Sequence, residues 1–548
     1  MKTDPLPRSG SSEKSSSTAS LRVTRYLSIV TRFLSDENLT QRAYLNAVAS
    51  ALDYAVQLGV NFLLTPFLVS GLGDYMYGAW KTLDRTLGYI SPVGGRATQA
   101  LRYTIAQQQA STDYEEKRRQ VGNAIVVWVL FLPILSVLGV VIAWFAPSWI
   151  DAPAGLAWTI RIAAVLMTAQ LVLQNLVRLP RDVLEGENLG YKRMGLSALL
   201  TVVGGGFTAL ALYFDTGIVG VVAAALASMV VSGLVNLRIL RTYVSWFGVA
   251  KPSLAYVRRF LGLSWWFAGW NLVMKLMMDS DIVLLGLLVS METVTSYTLS
   301  KYAPETVVSL VAMVVFGIAP GLGGIIGSGD LRRAASVRGE MMSLTWLIAC
   351  VTGATVLVWN RAFLGLWVGI EYYAGPTATL LIVVMATQLV LLRNDANVID
   401  LTLNLRSKVL IGAISGVLSL LLAGILVSFF DTGISGLCLG FIVGRSIQSM
   451  SYPLIVGRFL GLSAHSQAKG VLRPAFVTVL LFPSAVALGG FLMVTSWIGF
   501  VFSVAATFSV VLLLAFFGGL SGTQRSKIIR RIRVVTSATS GRSRADSG

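Results

Sequence analysis

The chain has 548 residues, of which 55% are hydrophobic and only 13% are charged. Soluble domains carry about 25% charge, so this much apolar surface cannot be hidden in a water-facing fold, and lipid must act as part of the solvent. In a membrane setting the net charge of +18 points to anionic lipid surfaces and excludes nucleic acid as a partner.

Residues 1–43 form a polar arm containing "SGSSEKSSSTAS". It lacks the apolar core and cleavage site of a signal peptide, so it is expected to stay attached and be disordered. Apolar runs then recur to the end of the chain. "AIVVWVLFLPILSVLGVVIAWF", from Ala124, meets the requirement of about 20 predominantly apolar residues for a spanning helix. Fourteen spans follow at 44–70, 78–105, 121–146, 156–178, 193–213, 217–240, 262–289, 293–318, 340–360, 376–393, 409–430, 434–457, 473–494 and 497–519. The chain reads as an all-α integral membrane protein. Cys350 and Cys438 fall inside apolar runs and are expected to be buried thiols, with neither a disulfide nor a metal site. His465 falls in a polar loop.

Lysine and arginine accumulate in cytoplasmic loops. With the amino terminus inside, most of the 44 such residues fall in inner connections or at the span ends bordering them, and the outer connections hold only Arg361. The expected location is the plasma membrane of a bacterium, with both termini cytoplasmic. The tail at 520–548, with "TQRSKIIRRIRVV", is expected to lie on anionic membrane lipid.

"LYFDTGIVG" begins at Leu212 and "SFFDTGISG" at Ser428, so Phe-Asp-Thr-Gly-Ile occurs twice. Paired Asp-Thr-Gly loops are the chemistry of an acid protease, whose two carboxylates share a proton. The residues around Asp215 and Asp431 show no alternating strands, however, and read as helix, tight turn, helix, in which Gly217 or Gly433 takes positive φ and the Asp side chain caps backbone amides. The same offset aligns Asn188 with Asn404, Lys192 with Lys408 and Gly220 with Gly436. Six crossings separate the copies, so the reading is two parallel six-helix repeats, a first lobe at 44–245 and a second at 246–461, followed by two further spans at 462–519.

The stretch "NFLLTPFLVSGLGDYMYGAWKTLDRTLGYISPVGGRATQALRYTIAQQ", Asn61 to Gln108, resembles the start of the oligosaccharide-lipid flippases of the MOP superfamily, the Wzx-type polysaccharide exporters. "MKLMMDSDIVLLGLLVSMETVTSYTLSKYA", Met274 to Ala303, is similar to their seventh and eighth helices, with Asp281 and Tyr297 at recurrent positions and Val294 where they carry glycine. The resemblance implies two lobes set in a V around a cavity that opens alternately to either side. Its implied passenger is a polyprenyl-diphosphate-linked oligosaccharide, a repeat unit of O-antigen, capsule or exopolysaccharide, and its implied partners are polysaccharide polymerase or export proteins.

Charges inside spans cost about 2.5–3.5 kcal/mol on insertion scales and mark cavities or partners. At about 100° per residue, Lys81, Asp84 and Arg85 share one face of span 2, and Arg96 returns within about 20° of Arg85. Arg161, Lys275, Lys301 and Arg445 add cations from other spans. These seven cations are the candidate substrate contacts, since arginine grips phosphate oxygens through paired hydrogen bonds. Internal pairing competes with that role: Lys81 or Arg85 with Asp84, Lys275 with Asp279, and Lys301 with Glu305. Asp53, Asp279 and Asp281 are candidates for coupling to H+ or Na+. A cationic-drug exporter of the MATE branch shares the scaffold but needs an acidic cavity, and a lipid II flippase fits the composition equally. A membrane glycan polymerase or ligase needs catalytic groups in a long outer loop, and the longest, near 361–375, offers only Arg361 and Glu371.

Overall fold

The computed structural model describes residues 39–94, 97–108, 111–252, 254–401 and 405–530. Every regular element among them is helical, as lipid requires, because a backbone without water must satisfy its N–H and C=O groups within its own segment. In chain order they are α1 (Leu39–Gly88), α2 (Ala97–Gln107), α3 (Tyr114–Trp149), α4 (Ala157–Gly186), α5 (Leu196–Tyr213), α6 (Gly217–Tyr243), α7 (Leu254–Leu288), α8 (Met291–Gly327), α9 (Leu331–Trp367), α10 (Pro376–Leu401), α11 (Leu405–Phe430), α12 (Gly433–Leu460), α13 (Ala464–Phe491) and α14 (Trp497–Gly519). Among the described residues, ten helices are long and apolar enough to cross a membrane. Those ten do not include α7, α8 and α12, the helices that carry Lys275, Asp279, Asp281, Lys301, Glu305 and Arg445.

The first two spans differ from their expected form. No loop separates them: α1 runs on and is kinked at Gly73, where φ is 72° and ψ is 168°. Glycine lacks the Cβ that makes positive φ costly. Span 2 was expected to be continuous over 78–105, but α1 ends at Gly88, a 3-10 turn occupies Ser91–Gly94, and helix resumes at Ala97. Pro92 has no N–H to continue the ladder. The register that would carry Arg85 to Arg96 is therefore broken, and Arg96 itself lies outside the described residues. The amino-terminal arm was expected to be disordered to residue 43, yet helix begins at Leu39; residues 1–38 and the tail from 531 also lie outside the described residues.

Three helices begin seven to nine residues earlier than their apolar stretches. Side chains cap their first turns: Asp113 accepts from the Glu116 N–H at 3.0 Å, Asp330 from Arg333 at 3.0 Å, and Ser463 from Ser466 at 3.2 Å. His465 therefore lies exposed in the first turn of α13 and not in a loop. Cys350 and Cys438 are free and buried, as expected.

The two Phe-Asp-Thr-Gly-Ile copies form matching turns, α5 to α6 and α11 to α12. Asp215 and Gly217 have φ of 52° and 61°, and Asp431 and Gly433 have 50° and 52°. The expected Asp cap is absent from both turns, and the threonine does the capping. Thr216 Oγ1 donates to the Ala211 carbonyl at 2.7 Å and Thr432 Oγ1 to that of Leu426 at 2.7 Å, satisfying acceptors at the end of the preceding helix. Both aspartates are exposed within helical hairpins, which leaves the acid-protease reading without its loops.

The hairpin of α11 and α12 is closed by glycines. A Cβ on Gly440 would meet the Ala423 backbone nitrogen at 2.3 Å, and one on Gly444 the Ser419 Cα at 2.4 Å. Overpacking of this kind costs about 1–3 kcal/mol per site. Gly440→Ala is expected to lower the thermal unfolding midpoint in detergent, whereas Gly424→Ala, which meets no atom within 4 Å, should not. Equal midpoints for the two would refute the close approach. On the other side, α13 and α14 dock onto α9, where Trp346 Nε1 donates to Thr478 Oγ1 at 3.0 Å and Trp359 Nε1 to Thr507 Oγ1 at 2.9 Å.

Candidate functional site

The site is built where α1 meets α7 and α8. Near the Gly73 kink, α1 is in direct contact with α8. A Cβ on Gly78 would lie 2.0 Å from the Met291 carbonyl oxygen. Thr295 Oγ1 donates to the Asp74 carbonyl at 2.7 Å, and Trp367 Nε1 to the Phe62 carbonyl at 2.8 Å. Phe62 also stacks on Trp367 with centroids 5.3 Å apart and meets Trp497 of α14 edge-on at 5.9 Å. The Tyr372 hydroxyl donates to the Asp74 carboxylate; burial and that carboxylate push the phenol above its usual range, so it remains a donor.

About two turns further into the bundle from Gly78 lies a network of charges. Arg85 of α1 pairs with Asp279 of α7, an ion pair between segments distant in sequence rather than the expected contact with Asp84, which is exposed. Lys275 Nζ holds the other Asp279 oxygen at 2.8 Å, the helical pairing anticipated from spacing. Asp281, two residues on, points about 200° around the helix and so away from α1. Its Oδ2 accepts from Tyr297 Oη at 2.6 Å and Lys301 Nζ at 2.5 Å. Lys301 thus takes Asp281 as its partner and not Glu305. Asp279 and Asp281 are 3% and 2% exposed, which makes such partners a necessity.

Arg445 of α12, 2% exposed, donates to the Met277 carbonyl and lies 5.0 Å from the Phe441 ring. Its Nε, like that of Arg85, has no hydrogen-bond partner among the described residues. Asp281, Lys301, Glu305 and Arg445 line a small cavity of about 30 Å³ whose remaining wall is apolar. Lys81 lies over the rings of Trp80 and Tyr77 at 4.3 and 5.2 Å and within the field of Glu305. Five cations, Lys81, Arg85, Lys275, Lys301 and Arg445, therefore gather around four carboxylates, Asp84, Asp279, Asp281 and Glu305. The balance is positive.

Two candidates sit elsewhere. Arg161 lies at the start of α4 over Trp144 and Trp158, at 4.6 and 5.1 Å, away from the charge network. Asp53 pairs loosely with Arg193 at 3.6 Å, and Arg193 reaches Glu185 at 3.8 Å, so it joins a separate cluster in which Arg102 and Arg181 also hold Glu185. Sequence reasoning missed Tyr89, whose hydroxyl donates to Ser280 Oγ at 2.7 Å across the lobe boundary; its position four residues after Arg85, on the same helix face, was the available signal.

Residues 101–320 match the family model described as polysaccharide biosynthesis protein. Among solved structures, the chain is similar to the lipid II flippase MurJ in an inward closed conformation, with a TM-score of 0.64 and 11% identity over 90% of this chain and 100% of that one. It is similar to an inward-facing multidrug resistance MATE family transporter of the MOP superfamily, with a TM-score of 0.58 and 14% identity over 75% of this chain and 98% of the other. The chain shares the fold of these two transporters. A third likeness, with a TM-score of 0.51 and 16% identity over 77% and 96% of the two chains, is to a MOP superfamily transporter from Pyrococcus furiosus, whose binding pocket of reverse polarity suggests a different function for it. No curated protein matches the chain.

Proposed function

We propose that this MOP-fold chain is a flippase for a polyprenyl-diphosphate-linked oligosaccharide, working by alternating access of two parallel six-helix lobes in a bundle of fourteen crossings. The observation that carries the reading is the positively balanced charge network between the lobes, with guanidinium nitrogens of Arg85 and Arg445 left without partners. A diphosphate crossing the membrane needs cations to replace its hydration, and arginine supplies paired donors. A cationic drug would meet repulsion in the same place.

With both termini on the cytoplasmic side of a bacterial plasma membrane, the sealed Gly73 end faces outward. The head group then enters from inside, displaces Asp279 from Arg85, and so loosens the ion pair that ties the lobes. A coupling proton or Na+ acts at Asp279 or Asp281 only by competing with Arg85, Lys275 and Lys301.

Reconstitution tests this. Proteoliposomes holding the full chain are expected to move a fluorescent polyprenyl-diphosphate glycan between leaflets, and Arg445→Ala to slow that movement at least tenfold while cationic dyes are not exported. Dye export without glycan movement would assign the chain to drug transport. Movement of lipid II alone would assign it to peptidoglycan precursors. Full transport by Arg445→Ala would remove that residue from the site.

A further inference from the structure

We propose that a pocket between α1, α3 and α7 holds the isoprenoid chain of the passenger while its diphosphate lies at Arg85; this rests on the flippase reading above. The pocket has a volume of about 260 Å³, and Thr82, Thr86, Ile142, Trp149, Ile150 and Leu287 are among the residues that line it. That is just under the range of roughly 300–1,000 Å³ for small-molecule sites, so the pocket takes a segment of the isoprenoid chain and not its whole length.

The wall is more apolar than its residue types suggest. Thr86 Oγ1 donates to the Thr82 carbonyl at 2.8 Å, and Thr82 Oγ1 is turned to Met291 Sδ at 3.7 Å. Both hydroxyls are occupied, and neither calls for a polar ligand. Trp149 and Leu287, 43% and 46% exposed, flank the opening toward lipid. Two cross-links bracket the pocket along α1: Tyr75 Oη donates to the Ile150 carbonyl at 2.9 Å, and Tyr89 Oη to Ser280 Oγ at 2.7 Å. The walls come from both lobes, α1 and α3 from one and α7 from the other, so lobe movement reshapes the pocket.

Position identifies the occupant. Arg85 lies between Thr82 and Thr86 on the same helix, one turn from Thr82 and about 60° around it. A chain in the pocket therefore ends beside the cations. Any phosphate on a long apolar chain shares this chemistry, including a bilayer phospholipid. Depth separates the two sources. Arg85 is twelve residues past the Gly73 kink, about 18 Å along the helix at 1.5 Å per residue, in a hydrocarbon layer about 30 Å thick. A resting phospholipid keeps its phosphate at the surface, whereas a passenger in transit carries its diphosphate to this depth.

The test uses full-length protein in proteoliposomes and two diazirine probes, one on a prenyl diphosphate and one on the acyl chain of phosphatidylglycerol. The prenyl probe is expected to label peptides containing 82–86 and 142–150, to be displaced by unlabelled polyprenyl diphosphate, and to lose at least tenfold in labelling in Thr86→Phe and in Leu287→Trp. The wild-type labelling map decides the matter even where a variant fails to fold. Equal labelling by the phospholipid probe, undisplaced by polyprenyl diphosphate, would assign the pocket to bilayer lipid and overturn the proposal. Prenyl labelling confined to other helices would overturn it too. Glycan transport without labelling at these peptides would sink the pocket and spare the flippase reading, and displaceable labelling without any transport would do the reverse.

Discussion

Gly78→Ala is expected to open the sealed end of the bundle. Its added Cβ would stand 2.0 Å from the Met291 carbonyl oxygen, and neither partner is a side chain that could rotate aside. The helices must separate, which takes Thr295 from the Asp74 carbonyl and loosens the Trp367 contact with Phe62. A ligand or mutation shifts a two-state protein by its differential effect on the two states, and here the clash weighs on the closed contact between α1 and α8. A single cysteine at Thr295, a position 0% exposed, is expected to react with a membrane-impermeant maleimide at least tenfold faster in the Gly78→Ala background. Gly155→Ala, with nothing within 4 Å, is the matched control. An unchanged rate would mean that this contact does not hold the lobes together.

Asp281→Asn is expected to cost the most stability of any single charge neutralisation in the network. Asp281 is 2% exposed and accepts from both Tyr297 and Lys301, so the substitution strands a buried ammonium. Removing one member of a buried pair costs about 3–5 kcal/mol, whereas replacing both members with apolar groups is often neutral. Asp281→Asn combined with Lys301→Met should therefore regain most of the lost thermal stability and still fail to transport glycan, because the cavity has lost two of its four charged side chains. If the single variant melts with wild type, the pair is not a structural tie; if the double variant transports normally, these charges are not part of the path.

Much of the architecture was legible because lipid imposes a simple rule on it. Apolar runs of spanning length became helices, and the Thr-Gly turns closed hairpins where the repeat placed them. Helix ends were less legible: polar starts such as Tyr114 and Leu331 lie outside the apolar runs, and only their caps at Asp113 and Asp330 define them. The site was legible in its residues but not in its partners. Spacing finds Lys275 with Asp279, since both lie on one helix. It has no means of finding Arg85 with Asp279, 194 residues apart, or Lys301 with Asp281 on neighbouring helices. Arg161 shows the complementary error, a span-end cation whose place over Trp144 and Trp158 looks in sequence like a place in the cavity.

The edge-on contact between Phe62 and Trp497 has a consequence for how the protein is made. Phe62 leaves the ribosome long before Trp497, which begins α14. Their contact, with Phe363 and Phe500 beside them, cannot form until α14 has been made. A nascent chain halted before α14 holds α1 to α13 but lacks one side of this aromatic corner, so α14 acts as a late-arriving clasp on the α1 contact.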